Sequence, residues 1–308
     1  MTLDSATPIT LTGPWRTPAQ MLAAQRYGGH ESVHDAAAAA KLGLAGAPIE
    51  GPTHFSQFEP LALALWGERW FTQGCLSAHF LNMVVEGEQV QAQLELDGPG
   101  ATRGRIGARK ADGTPVLEGT VSIGPDHGET ALAARLAAMQ AKPPGPLHII
   151  DRLRVGQRGP GDEFAQVGFD DHLGDLYPFT LRDKLGCITE RVAAHQDGAA
   201  TPWGDAVLPF EMLSVLTNAF SHRSGFVGRQ PSVGLFMDLE VKVLAGPVRV
   251  GRRYRLEREL LALGQTRRTE SFWTRTTLFD GATAVAEVLL HQGVFKASYP
   301  GYPAPAAG

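Results

Sequence analysis

Cysteine is almost missing from this sequence: Cys75 and Cys187 are the two in 308 residues, and neither lies in a paired-cysteine motif. A disulfide framework and a cysteine-built metal site are thereby excluded, and a reduced, cytoplasmic protein is expected. No apolar run reaches the roughly 20 residues of a membrane-spanning helix. The opening Met1-Thr2-Leu3-Asp4-Ser5 lacks a basic segment ahead of an apolar one, so no secretory signal is expected. An excess of positive charge is lacking too. The net charge of −4 gives no general pull toward nucleic acid or acidic membranes.

Apolar residues are present in ordinary amount, 43 % of 308 residues, which suffices for a sizeable core and two domains. Thr17 and Pro18 resemble a helix cap and first turn, so a helix is expected from there to about Arg26, stopping at Gly28-Gly29. A short alanine helix is expected over 35–42. Beyond the turn Gly43–Pro52, Phe55, Phe58, Ala62 and Leu65 recur every three or four residues, one apolar stripe on a helix ended by Trp66-Gly67. Strands follow: 76–85, then Val90, Ala92, Leu94 and Leu96 alternating with polar residues, then 103–108 and 116–123 flanking the hairpin turn Asp112-Gly113. A helix over 129–141 ends at Lys142-Pro143-Pro144-Gly145-Pro146, the best linker in the chain.

The second half repeats the first. A shift of 158 positions sets Gly46 on Gly204, Ile49 on Val207, Phe55 on Leu213 and Phe58 on Leu216. Asp280-Gly281 answers Asp112-Gly113 ten positions late, which implies a small insertion. The units are expected at 1–141 and 142–308. The chemistry-bearing residues gather in 30–66. A glycine- and proline-bearing turn before a buried helix leaves free N–H groups facing His34, His54, Glu31 and Glu50, a setting suited to a developing negative charge.

A long helix wrapped by a curved antiparallel sheet, an α+β unit present twice, resembles the double hot-dog fold. The segment Val33-His34-Asp35 … Gly43-Leu44-Ala45-Gly46-Ala47-Pro48-Ile49-Glu50-Gly51 looks like the hydratase segment of MaoC-like and FAS1-like dehydratases. Thr201-Pro202-Trp203-Gly204-Asp205 is similar to the matching turn of that group. The resemblance implies addition or removal of water at an enoyl or 3-hydroxyacyl thioester. The acyl group would ride on coenzyme A or acyl carrier protein, with no resident cofactor or metal. His34 would move the proton and the Gly51 N–H would polarise the carbonyl, with His54 within reach. Ala47, Pro48, Trp203, Arg103 and Arg105 would contact the substrate. Gly29 stands where the family has an aspartate, leaving Glu31 or Glu50 as substitutes. The 158 shift puts Val192 opposite His34, so the second half is expected to be a catalytically empty tunnel wall. A homodimer or a monomeric pseudo-dimer is implied.

Rival readings come from the same residues. Glu50 at the helix start suits a thioesterase-like hydrolase, and the lost aspartate suits a non-catalytic acyl-binding protein. His30-Glu31-Ser32-Val33-His34 satisfies H-E-x-x-H, a zinc motif when helical, but Gly28-Gly29 immediately before it argues against a helix. Asp170-Asp171-His172 reads as a solvated loop, and Gly156–Gly161 as a turn without the lysine of a phosphate loop.

Overall fold

The computed structural model describes residues 7–27, 30–219, 221 and 224–303, with backbone alone at 27, 30 and 31. Seven α-helices form among them: α1 (Ala36–Lys41), α2 (Glu59–Trp66), α3 (Arg69–Gln73), α4 (Ala131–Gln140), α5 (Leu181–Cys187), α6 (Ala193–Gln196) and α7 (Phe210–Asn218). The early strands are β1 (Ile9–Thr12), β2 (Arg26–Tyr27), β3 (His30–Glu31), β4 (Gly74–Phe80), β5 (Val90–Leu96), β6 (Arg103–Lys110) and β7 (Pro115–Ile123). The later ones are β8 (Glu163–Ala165), β9 (Gly234–Val243), β10 (Tyr254–Gln265), β11 (Thr269–Asp280) and β12 (Thr283–Phe295).

Ten of these strands build one antiparallel sheet in the order β1-β5-β6-β7-β4-β9-β12-β11-β10-β8. The order is mirror-symmetric: β4 answers β9, β7 answers β12, β6 answers β11, β5 answers β10 and β1 answers β8. β4 and β9 pair at the seam, with Leu76 opposite Val241. β5 shows how the alternation sets the register: Val90, Ala92, Leu94 and Leu96 are buried, while Gln91, Gln93 and Glu95 are half-exposed. Gly113 and Gly281 supply the positive φ (88° and 60°) that the β6–β7 and β11–β12 hairpins require.

One face of the sheet wraps the apolar helices. Phe55, Phe58 and Ala62 are fully buried there, as are Met212, Leu213 and Val215 of α7. On the opposite face α4, capped by Thr130, packs Leu132 and Leu136 against Leu261, Trp273 and Leu289.

Two helices depart from expectation. The first-half central helix is broken: a 3-10 turn over Gly51–Gln57 precedes α2, with the bend at Phe58. Pro60 has no N–H to continue a helical ladder from the preceding turn. No helix forms over 17–26. Gly13 and Arg16 donate their N–H groups to Ala92 and Val90 of β5, both at 2.9 Å, and β2 pairs with β3. Sheet pairing thus holds the chain on either side of the expected helix, at Arg16 and at Arg26.

The second half reaches across to the first through residues 166–190. The Arg26 N–H donates to the Asp175 carbonyl (2.8 Å), the Gln25 side chain donates to the Leu176 carbonyl (2.7 Å), and Arg16 pairs with Glu190. Among the described residues no helix is long and apolar enough to cross a membrane.

Candidate active site

The local chain fixes His34 tightly. The Ser32 hydroxyl accepts its backbone N–H (3.1 Å), and the Asp35 side chain caps α1 by accepting from the Ala38 N–H (2.9 Å). Its ring Nδ1 lies 2.7 Å from the Pro48 carbonyl. A carbonyl only accepts, so Nδ1 carries the proton and Nε2 presents a lone pair. Burial pushes the His34 pKa below the ordinary imidazole value; the Pro48 carbonyl and Glu50 counter this only in part. The ring is therefore neutral at pH 7 and able to take a proton.

The turn beneath it is stitched to the β4–β5 connection, with the Ile49 N–H donating to the Val84 carbonyl (2.7 Å) and Pro48 bridging Val85. Gly51 opens the 3-10 turn, where an N–H has no intrahelical acceptor. A side chain at Gly51 would press on the Phe80 ring at 3.1 Å, so any larger residue there must displace the ring. His34, Pro48, Glu50, Gly51 and His54 all line a cavity of about 400 Å³. Phe80, Val84 and Val116 continue its wall in the first half, and Phe236, Met237 and Phe272 in the second.

Glu50 is 5 % exposed and receives a hydrogen bond from Lys184 of α5 (3.2 Å). Its other oxygen, Oε1, has no partner among the described residues. Lys184 also donates to the Thr53 hydroxyl (2.8 Å) and lies 3.9 Å from Glu211. Burial works against this ammonium, but Glu211 and Glu50 outweigh it and lift its pKa above the ordinary lysine value. Glu211 has no hydrogen-bond partner for either oxygen among the described residues. Burial, opposed by Lys184, pushes its pKa to about 8. Tyr177, buried in the cavity wall, is pushed well above the ordinary phenol value by burial and by Glu50. His54 is fully buried, its pKa driven down to about 4 by burial and by Lys184, and its Nδ1 faces the Gln57 amide at 3.4 Å.

Not every expected residue joins this site. Arg103 pairs with Asp126 (2.7 Å), and Arg105 with Glu95 and Asp97 (both 3.5 Å). Arg105 lines a separate polar groove with His79 and Arg135, and neither arginine borders the His34 cavity. Trp203 packs edge-on against Phe71 (6.2 Å), and neither it nor Ala47 lines the cavity, whereas Pro48 does. The Glu31 side chain lies outside the described residues, as does all of Gly29. His30 and Glu31 stand on β3, so the helix a zinc H-E-x-x-H needs is not formed. Asp170 pairs with Arg182 (2.6 Å) and Asp171 accepts the Gly168 N–H (2.7 Å), which uses the acids of that loop locally.

The second half carries a histidine frame of its own. His195 directs Nδ1 at the Val207 carbonyl (2.8 Å), just as His34 does at Pro48, and the Leu208 N–H donates to Val248 as Ile49 does to Val84. Ile49 and Leu208 are 159 positions apart and the histidines 161, so an ungapped shift of 158 missed the pairing. Lys184, Tyr177, Glu59, Glu211 and His195 escaped the sequence reading. The Thr180–Asp183 capping box marked α5 as a helix, but nothing local marked Lys184 as buried.

No family model matches the chain, and no curated protein matches it. Solved structures do. A protein of Mycobacterium tuberculosis described as having a double hot-dog fold is 14 % identical, with 95 % of this chain and 97 % of that one covered and a TM-score of 0.57. The chain has the double hot-dog fold. A Chloroflexus aurantiacus J-10-fl protein, described as a MaoC domain dehydratase, is also 14 % identical, with 93 % and 94 % covered and a TM-score of 0.57. In this double hot-dog chain the mirror axis of the sheet runs between β4 and β9, and the His34 and His195 frames lie on its two sides.

Proposed function

We propose that the chain is an acyl-thioester hydratase or dehydratase of the MaoC-like kind, with residues 1–141 supplying the chemistry and 142–308 the far wall of the acyl cavity. The observation that carries this reading is that the neutral His34 and the Gly51 helix start line the same largely apolar cavity. In hydration, His34 Nε2 removes a proton from water as its oxygen bonds to Cβ of the enoyl group. The electron pair of the double bond moves to Cα and onto the thioester oxygen, which the Gly51 N–H stabilises. The His34 imidazolium then returns its proton to Cα, which completes the addition and restores the neutral base. Dehydration runs the same steps backward. Glu50 is the carboxylate next to His34, held by Lys184 with one oxygen turned to no other group. It takes the place of the aspartate whose position here is Gly29. The acyl group is carried on coenzyme A or on acyl carrier protein.

That unpartnered Glu50 oxygen supports a second reading, a thioesterase in which Glu50 activates water against the thioester carbonyl. Enoyl-coenzyme A offered to the purified protein separates the two. Loss of the enoyl absorbance without free thiol supports hydration. Release of free thiol supports hydrolysis, and neither signal across short, medium and branched acyl groups would remove both.

A further inference from the structure

We infer that the second half carries a carboxylate-binding site built on the same frame as the first, and that the chain's own Glu59 is its ligand. The two frames share two contacts. His34 and His195 both direct Nδ1 at a turn carbonyl, of Pro48 (2.7 Å) and Val207 (2.8 Å). Ile49 and Leu208 donate to Val84 and Val248 at 2.7 and 2.8 Å. Two residues beyond each of these, Gly51 and Phe210 open their helices. In both halves a histidine whose Nδ1 is tied to a turn carbonyl thus accompanies a helix-start N–H.

In the first half this pair lines the cavity. In the second it is taken. Glu59 of α2 reaches across the mirror axis and sets Oε1 on the Phe210 N–H (2.5 Å) and Oε2 on His195 Nε2. Both side chains are 1 % exposed. Burial opposes charge on His195, but Glu59 overcomes it and raises the imidazole pKa, which gives a charged donor on one oxygen and a helix-start amide on the other. Two donors matched to two oxygens select a monocarboxylate. A neutral carbonyl would leave one donor idle, and a phosphate would leave oxygens unmet. The Phe71 edge lies on His195 at 5.7 Å with Trp203 beyond it, and the buried Glu211 acts on the same imidazole. Glu59 thereby closes the second frame to any outside ligand, so the double hot-dog chain has one open frame rather than two.

The test removes the resident carboxylate. Glu59→Ala deletes a fragment the size of acetate, and sodium acetate is titrated against matched sodium chloride while thermal unfolding is followed. Acetate should raise the Tm of Glu59→Ala saturably, by about 5 °C at roughly 100-fold excess over its Kd, and leave the wild type unmoved. An equal response of both proteins would overturn the inference. Should Glu59→Ala fail to fold, the isosteric Glu59→Gln decides the question in protein labelled with 15N-phenylalanine. Its Phe210 amide proton should shift upfield of the wild-type position, and an unmoved resonance would likewise overturn it.

Discussion

His34 works by being neutral, and its pH dependence follows. Its pKa is lowered from the ordinary 6.5, chiefly by burial. The base form is then complete above that lowered value, so kcat/KM should rise with pH only below 6.5 and be flat through neutrality on this account. An acid limb centred above pH 7 would contradict it. Glu211 acts with the opposite sign on stability. Its pKa of about 8 in the fold exceeds the ordinary 4.5, so the folded state binds the extra proton and stability falls as pH rises between those values. Glu211→Gln should abolish that slope and stabilise the protein at pH 7 by on the order of 2 kcal/mol in urea unfolding. A variant less stable than the wild type at pH 7 would show that Glu211 is ionised and needed there. His34, Glu50, Gly51 and His54 were legible in the sequence because all four lie within one 21-residue stretch, 34–54. Lys184 was not, since its pairing with Glu50 spans 134 positions and exists only in the folded chain.

At the scale of elements, what local chemistry decides was readable, and what tertiary pairing decides was not. The alternation of β5, the Asp112-Gly113 and Asp280-Gly281 hairpins and the Thr130-capped α4 are encoded within a few residues. The helix expected at 17–26 has an equally good local signal, yet the chain just before it pairs with β5 at Gly13 and Arg16, and Arg26 at its end joins β2 and bonds to Asp175. The segment 166–190 is the element with the most consequence for the site. It carries Tyr177 into the cavity wall and Lys184 onto Glu50. Lys184→Met removes the countercharge from a buried carboxylate and should cost about 3–5 kcal/mol in chemical denaturation. A loss under about 1 kcal/mol would place Glu50 in contact with water instead.

Across the whole molecule, the mirror-ordered sheet makes one body of two halves, and a buried charge cluster sits on its seam. Asp238 of β9 accepts from His79 of β4 (2.7 Å), Arg135 of α4 (2.7 Å) and His291 of β12 (2.6 Å), with Trp273 stacked on His291 at 4.5 Å. Burial opposes its charge, but the two histidine hydrogen bonds and Arg135 hold the carboxyl well below the usual range. Its contribution is present above the ordinary pKa of 3.8 and is lost as pH falls below that. Asp238→Asn should therefore destabilise the protein by roughly 2–4 kcal/mol at pH 7 and by clearly less near pH 2. An equal loss at both pH values would assign the effect to packing.

The symmetric strand order was visible in the sequence as a repeated order of elements. Its register was not, because insertions between the halves move His195 three positions from where an ungapped shift looks. The central claim rests on His34, and the rate of enoyl-coenzyme A hydration by His34→Ala tests it most directly. The account expects a fall of about 10²–10⁴-fold with the fold intact. Turnover equal to that of the wild type would contradict it.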